Sequence, residues 1–302
     1  MNDFRPKNIL CPIDFSDLSD LALKYAAVGS REYGSTLTIL HAERFDLPRY
    51  FSQAETDRLS KELHRAKAAV RKDLAEHVEK VLGPEKNEIA LEFEVVEAGP
   101  VDAILKSVEK KSSDLIVLGT HGIGGVKRLL LGSVAENVIR YATVPVFTVR
   151  QKEHEFIELD RTDALPKLER ILCPCVANER GKIDLSYAVS LAERFNSRLT
   201  VLYSEKSSTK DGDLSQSKEK LCDWISGTVK TKCNLEHVVR KGNAAEQIIL
   251  HAREAKVDLI VLGAHHKRFQ DAMVLGRTTE LVVRHAPVPV LIIPTFPDNR
   301  GA

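Results

Sequence analysis

Residues 114–149 read DLIVLGTHGIGGVKRLLLGSVAENVIRYATVPVFTV, and residues 258–293 read DLIVLGAHHKRFQDAMVLGRTTELVVRHAPVPVLII. Aligned without gaps at an offset of 144, the two stretches are identical at 16 of 36 positions. A second match, ILCP at 9–12 and again at 171–174, has an offset of 162, so the first copy carries 18 extra residues between these blocks. An internal repeat of this length predicts two duplicated domains.

A charged segment separates the two copies. Residues 150–167 read RQKEHEFIELDRTDALPK and contain a proline, which is typical of a linker between domains. The predicted domains are therefore residues 1–150 and 168–302. A chain of 302 residues has the length expected of two domains rather than one.

Composition excludes several classes of protein. Hydrophobic residues make up 43% and charged residues 29%, which is ordinary for a folded globular chain and excludes disorder as its main state. The formal net charge is only +1, whereas a dedicated nucleic-acid-binding protein usually carries a basic excess. No apolar run reaches the ~18 residues of a membrane span, and the N-terminus lacks the apolar core of a signal peptide. Five cysteines without a disulfide-like spacing favour a reducing compartment, so we expect a cytoplasmic protein.

Strand-like and helix-like patterns alternate along each copy. In the first copy the predicted strands are 8–13, 36–42, 90–97, 114–118 and 144–149, and the predicted helices are 16–33, 53–82, 101–110 and 132–141. Ser16 or Asp17 is the expected N-cap of the first helix. Such alternation predicts an α/β fold, with an open and mostly parallel sheet covered by helices on both faces.

A glycine-containing loop follows the fourth predicted strand. Two residues separate Gly119 from Gly122, and nine separate Gly122 from Gly132, which with Ser133 opens a helix. Glycines let backbone amides approach an anion closely or adopt positive φ, and a helix start adds unpaired N–H groups. The loop therefore predicts a phosphate cradle at the carboxyl edge of the sheet. It is neither a Walker loop nor the dinucleotide fingerprint, because the glycine spacing and the position after the fourth strand both differ.

The G-x2-G-x9-G-S spacing of this loop resembles the ATP-binding motif of the universal stress protein family. Pro12-Ile13-Asp14 after the first strand, LHA at 40–42 and VPV at 144–146 fit the same family. The resemblance covers both domains, so the chain looks like a tandem member. It implies two five-stranded parallel sheets of strand order 3-2-1-4-5, a Rossmann-like fold related to the adenine nucleotide alpha hydrolases. It also implies that the last strands of the two domains pair within one chain, and this pairing would cover two apolar edges.

The resemblance also assigns the binding residues of the first domain. It implies that Asp14 contacts the adenosine moiety, and that Ile13 and Ala42 offer backbone contacts to the base. Pro12, of the same Pro12-Ile13-Asp14 motif, is included among the nucleotide-binding residues. Leu118 and Gly119 are implied to line the ribose side. The residues implied to hold the phosphates are Gly122, Gly132, Ser133 and Val134. The implied cofactor is ATP, with an accompanying Mg²⁺ left open.

The second domain departs from the motif. Val176, His266 and Arg277 occupy the positions of Asp14, Gly122 and Ser133, whereas Gly263 and Gly276 keep the glycines at 119 and 132. We therefore expect a degenerate scaffold domain that does not bind ATP in the family manner. Two other interpretations stay open. Arg277 could attract another anion, and Cys175 with His265 or His266 could ligate zinc. Cys173 matches Cys11 and is expected to lie in the core.

No spacing in the sequence supports nucleophilic or acid–base catalysis, and no catalytic residue is assigned. His121 is either a general base or a loop histidine bonded to backbone groups. We expect a nucleotide-binding, regulatory stress-response protein with at most slow ATP hydrolysis. The alternatives are an ATP-dependent adenylating enzyme, whose Ser-Gly-Gly-x-Asp-Ser signature the sequence lacks, and a nucleotide-independent interaction scaffold. Dimerisation between whole chains stays open.

Overall fold

A computed structural model describes residues 4–43, 53–122, 131–150, 155–158, 166–205, 214–265, 267–269 and 272–295. At 53–61, 85, 265, 267–269 and 272–274 only the backbone is described. None of the helices within these ranges is long and apolar enough to cross a membrane. Lys127 and Arg128, two basic residues between Gly122 and Gly132, and His266 of the second copy lie outside the described residues.

Nine of the elements belong to the N-terminal half of the chain. They are β1 (Asn8–Pro12), α1 (Asp17–Tyr33), β2 (Thr36–Glu43), α2 (Gln53–Leu82), β3 (Ala90–Glu97), α3 (Pro100–Lys111), β4 (Leu115–Gly119), α4 (Ser133–Tyr141) and β5 (Val146–Val149). A 3₁₀ helix (Gly83–Glu88) links α2 to β3. These bounds match the predicted elements to within two residues.

The described elements of the C-terminal half follow the same order and include a hairpin with strands at 267–269 and 272–274. Its elements are β6 (Arg170–Pro174), α5 (Glu179–Phe195), β7 (Arg198–Glu205), α6 (Leu214–Thr228), β8 (Asn234–Lys241), α7 (Ala244–Glu254), β9 (Leu259–His265), β10 (Lys267–Phe269), β11 (Ala272–Val274), α8 (Arg277–His285) and β12 (Val290–Thr295). The antiparallel β10–β11 hairpin occupies the position of the glycine loop, and the sequence analysis did not predict it.

The strands form one ten-stranded sheet in the order β3-β2-β1-β4-β5-β12-β9-β6-β7-β8. Each half therefore has the predicted order 3-2-1-4-5, and the α/β class is confirmed. The two predicted sheets are continuous because β5 and β12 pair antiparallel, with Val146 opposite Ile292 and Thr148 opposite Val290. The Thr148 hydroxyl also donates to the Val290 carbonyl at 3.2 Å. The two terminal strands thus cover each other's edges.

Helix α1 shows how local sequence fixes an element. Ser16 adopts extended backbone, and its side chain accepts a hydrogen bond from the Ser19 amide, so Ser16 rather than Asp17 is the N-cap. Gly34 ends the helix in the left-handed conformation, at φ 65°, which glycine adopts without strain. Leu23 and Ala26 are fully buried on the face turned to the sheet. In the other half, Asn178 caps α5 in the same way by accepting from the Gly181 amide.

Apolar residues fill both faces of the sheet. One buried cluster joins α1, α2, α5 and α6 to the sheet, and the other joins α3, α4, α7 and α8 to the opposite face. Each cluster runs through both halves of the chain. The halves are therefore packed as one core, in addition to being joined by the strand pair β5–β12.

The segment between the two halves is more buried than its charged sequence suggests. Phe156 and Ile157 are 8% and 5% exposed, and the Phe156 ring lies 5.0 Å from that of Tyr25. The Tyr25 hydroxyl donates to Glu155, and the Lys167 amide donates to the Phe156 carbonyl. At the N-terminus, the Phe4 amide donates to Ser190 of the other half. The described part of the linker thus contributes to the packing between the halves.

The β5–β12 pair predicts how the N-terminal half behaves alone. Residues 1–150 expressed without the rest expose the β5 edge and the apolar surface around Tyr25, so the fragment should form a dimer through β5. Sedimentation velocity over a concentration series measures this directly. A fragment that stays folded and monomeric at high concentration would show that this edge does not drive association.

Candidate functional site

The carboxyl edge of the N-terminal half contains a cavity of about 520 Å³. It lies where β1 and β4 pair in parallel, with Ile9 opposite Leu115 and Leu10 opposite Ile116. From this pair the strand order runs outwards in both directions, to β2 and β3 on one side and to β5 on the other. Such a switch point leaves a crevice between the loops that follow the two strands, and open α/β sheets bind their ligands there.

All ten residues that the sequence analysis assigned to a binding site line this cavity. They are Pro12, Ile13, Asp14, Ala42, Leu118, Gly119, Gly122, Gly132, Ser133 and Val134. They come from four separate segments of the chain. Lining residues that the sequence analysis missed are Ser19, Leu40, Pro100, Ile104, Thr120 and Ala135. The buried side chains of Leu40, Ile104, Leu118 and Ala135 give the cavity an apolar wall.

Three glycines of the loop are required by close contacts rather than by their backbone angles, since none of them has positive φ. A Cβ added to Gly119 would lie 2.9 Å from the Leu18 Cβ, and one added to Gly132 would lie 3.0 Å from the Thr120 carbonyl oxygen. A Cβ at Gly122 would lie 2.1 Å from Oδ2 of Asp14. The predicted role of positive φ is therefore wrong for these glycines, whereas the lack of a Cβ lets the backbone approach Leu18 and Thr120 and leaves room for the Asp14 carboxylate.

Helix α4 begins at the cavity without a side-chain cap. Gly132 is its N-cap and offers no side-chain acceptor. The first N–H groups of a helix have no partner within the helix, and the helix dipole makes this end electropositive. Because Ser133, Val134 and Ala135 line the cavity, these amides lie at its wall. The position suits an anion.

The loop after β1 is held at each of its residues. The His41 ring Nδ1 lies 2.8 Å from the Ile13 carbonyl oxygen. Phe15 has left-handed backbone, at φ 62°, which is costly for a residue other than glycine. Its ring packs against His41 and His77 at centroid distances of 4.9 and 5.0 Å. Asp14 therefore lies in a fixed loop between two packed neighbours.

His121 also lines the cavity. Its Nδ1 lies 3.0 Å from the Thr120 hydroxyl, and Nε2 is buried with no hydrogen-bond partner among the described residues. Burial and the nearby Arg150 lower the pKa of His121, so the imidazole is neutral at pH 7. The ring contact is to a side chain rather than to the backbone groups that one interpretation expected. The choice between a general base and a structural role for His121 stays open, as in the sequence analysis.

The matching edge of the C-terminal half has different chemistry. Val176 is 47% exposed where Asp14 would lie, and Gly276 is again an N-cap without a side-chain acceptor. Gly263 keeps its glycine, but an added Cβ would lie 2.3 Å from Oδ2 of Asp184. Among the described residues, no group of three or more His, Cys, Asp or Glu could hold a metal ion, so the zinc interpretation has no support there.

A family model described as the universal stress protein family matches residues 6–150 and 167–294. The chain belongs to the universal stress protein family. Both halves match, as a tandem member requires.

The chain is similar to the following individual proteins over one or both halves. A universal stress protein of Methanocaldococcus jannaschii is 34% identical over 153 residues, which cover 49% of this chain and 85% of that protein. A solved universal stress protein of Archaeoglobus fulgidus superposes with a TM-score of 0.65 at 20% identity, over 96% of this chain and 99% of that one. A family member solved in complex with cAMP is 22% identical with a TM-score of 0.35, over 49% of this chain and 98% of that chain.

Asp184 gives a testable difference between the halves. It is 1% exposed, its Oδ1 has no hydrogen-bond partner, and burial raises its pKa to about 7. Ala22 occupies the aligned position of α1. Because the folded-state pKa lies above the unfolded value of ~3.9, the folded chain binds a proton that the unfolded chain releases between about pH 4 and 7. Stability should fall as pH rises through this window and then level off.

Asp184→Ala should remove that slope and stabilise the protein at pH 8 by on the order of 3 kcal/mol. Denaturant unfolding at pH 4.5, 6 and 8 measures the effect. Glu179→Ala is the matched control, since the Glu179 side chain is 86% exposed on the same helix. Equal stability of the wild type and Asp184→Ala at all three pH values would contradict the assignment.

Proposed function

We propose that the N-terminal half binds ATP at the cavity between β1 and β4, and that the protein acts as a nucleotide-dependent regulator. The observation that carries the proposal is the convergence of ten residues from four segments on one cavity of about 520 Å³. The G-x2-G-x9-G-S spacing supports it independently, because that motif is a property of the sequence alone and does not depend on the shape of the cavity. The C-terminal half is proposed to serve as a scaffold that does not bind ATP.

The lining residues suggest how the nucleotide would be held. Apolar side chains of Leu40 and Ile104 supply a wall suited to a base, beside the backbone of Ile13 and Ala42. Asp14 is an acceptor for a ribose hydroxyl or an amine. The amides at the start of α4 suit the phosphates.

Charge supports binding by backbone groups. Among the lining residues that the structure describes, Asp14 is the only carboxylate, and none is Lys or Arg. Recognition of phosphate in the described part of the cavity would therefore depend on N–H groups and the helix dipole. Because His121 is neutral, it contributes no positive charge to the binding of an anion. This set of groups binds an anion without supplying an evident nucleophile, so we propose regulation by occupancy rather than turnover.

Isothermal titration calorimetry with ATP tests the proposal. The expected result is saturable binding with one ATP per chain, because Val176, His266 and Arg277 replace Asp14, Gly122 and Ser133 of the motif in the C-terminal half. Excess cAMP should compete if both ligands use this cavity. No binding would favour the nucleotide-independent scaffold, and two equivalent sites would contradict the assignment of the C-terminal half.

A variant locates the site within the chain. Gly122→His copies the residue of the C-terminal half and should lower ATP affinity at least tenfold, because its Cβ would overlap the Asp14 carboxylate. Gly227→His is the matched control, since no atom lies within 4 Å of a Cβ at that exposed position on α6. Circular dichroism should show that both variants fold. Unchanged ATP affinity in a folded Gly122→His protein would show that ATP does not bind in this cavity.

A further inference from the structure

Ser16 makes two different hydrogen bonds with one hydroxyl. Its Oγ lies 2.5 Å from Oδ1 of Asp14 and 3.3 Å from the amide nitrogen of Ser19. The Ser19 N–H can only donate, so the hydroxyl accepts there and N-caps α1. Since the Asp14 carboxylate accepts, the single hydroxyl hydrogen of Ser16 points to Oδ1. The Ser16 amide donates to the same oxygen at 3.1 Å.

These bonds hold Oδ1 of the Asp14 carboxylate in place. With Oδ1 held by two donors of Ser16, Oδ2 lies on the side of Gly122, where it occupies the space of a side chain. Rotation of the carboxylate would break both bonds. Asp14 lines the cavity, whereas Ser16 does not. The position of a cavity side chain is thus coupled to a residue outside the cavity lining.

The C-terminal half shows that a helix N-cap can form without a hydrogen bond between the capping residue and a carboxylate. Asn178, the counterpart of Ser16, caps α5 by accepting from the Gly181 amide at 3.0 Å. Val176 stands in the place of Asp14, so no carboxylate is oriented there. Helix capping is kept in both halves, whereas the hydroxyl–carboxylate bond occurs only in the half with the cavity motif.

We propose that Ser16 is a positioning residue for nucleotide binding, which orients the Asp14 carboxylate toward the ligand through the hydroxyl bond to Oδ1. The inference rests on the proposed ATP site. It adds to that site a selectivity for ligands that donate a hydrogen bond to Asp14, such as a ribose hydroxyl or an amine.

The test separates capping from positioning in the full chain, with ATP as the probe. Ser16→Asp keeps an N-cap acceptor but cannot donate when ionised and repels Asp14. Ser16→Gly keeps most of the cap propensity and removes the hydroxyl. Both variants should bind ATP at least tenfold more weakly while the unfolding temperature stays near that of the wild type. Ser16→Thr retains the hydroxyl and should restore affinity to within about threefold of the wild type.

Two controls make the outcome specific. Asn178→Ala removes the equivalent cap of α5 and should lower the unfolding temperature without changing ATP affinity. In an Asp14→Ala background, Ser16→Gly should cause no further loss of affinity, since the two residues act as one unit. Wild-type affinity in folded Ser16→Asp and Ser16→Gly, or additive losses in the double variant, would overturn the role of Ser16. If the wild type itself binds no ATP, the proposed function fails instead.

Discussion

The parallel pairing of β1 with β4 is the constraint on which the candidate site depends. Only two residue pairs join these strands, Ile9 with Leu115 and Leu10 with Ile116. That register brings the loop containing Asp14 beside the loop containing Gly122, although the two residues lie more than a hundred positions apart in the sequence. The Asp14 carboxylate then fills the space that a side chain at 122 would need. The glycine and the acid are therefore required together.

The C-terminal half has the same constraint with a different result. β6 pairs with β9 through Ile171 with Leu259 and Leu172 with Ile260, and the same crevice position arises. With valine at 176 no carboxylate requires a glycine opposite, and the sequence has His266 there. A buried acid, Asp184, lies instead against Gly263 from the helix side. The two halves have kept one backbone arrangement and changed its chemistry, and the continuous core makes the second half part of the fold of the first.

Much of this architecture could be predicted because the pattern is strong and repeated. The glycine loop after the fourth strand indicated an anion site at this edge of the sheet, and the family resemblance carried by that loop and Asp14 implied ten residues that line the cavity. Pro100 and Ile104 were missed because apolar residues early in a helix give no signal that distinguishes a cavity wall from a core. Burial of Phe156 was missed because the charged residues around it dominate the composition of the linker. The β10–β11 hairpin was missed because residues 267–274 align with 123–130 of the first copy, a stretch that the sequence analysis assigned to the glycine loop.

Hydrogen–deuterium exchange of the full chain with and without saturating ATP tests the central claim most directly, because it reports on both halves at once. The account predicts slower exchange at 12–16, 118–122 and 133–136. It also predicts unchanged exchange at the equivalent segments 174–178, 262–265 and 277–280. Protection confined to the C-terminal half, or equal in the two halves, would contradict the assignment of the nucleotide site to the β1–β4 crevice.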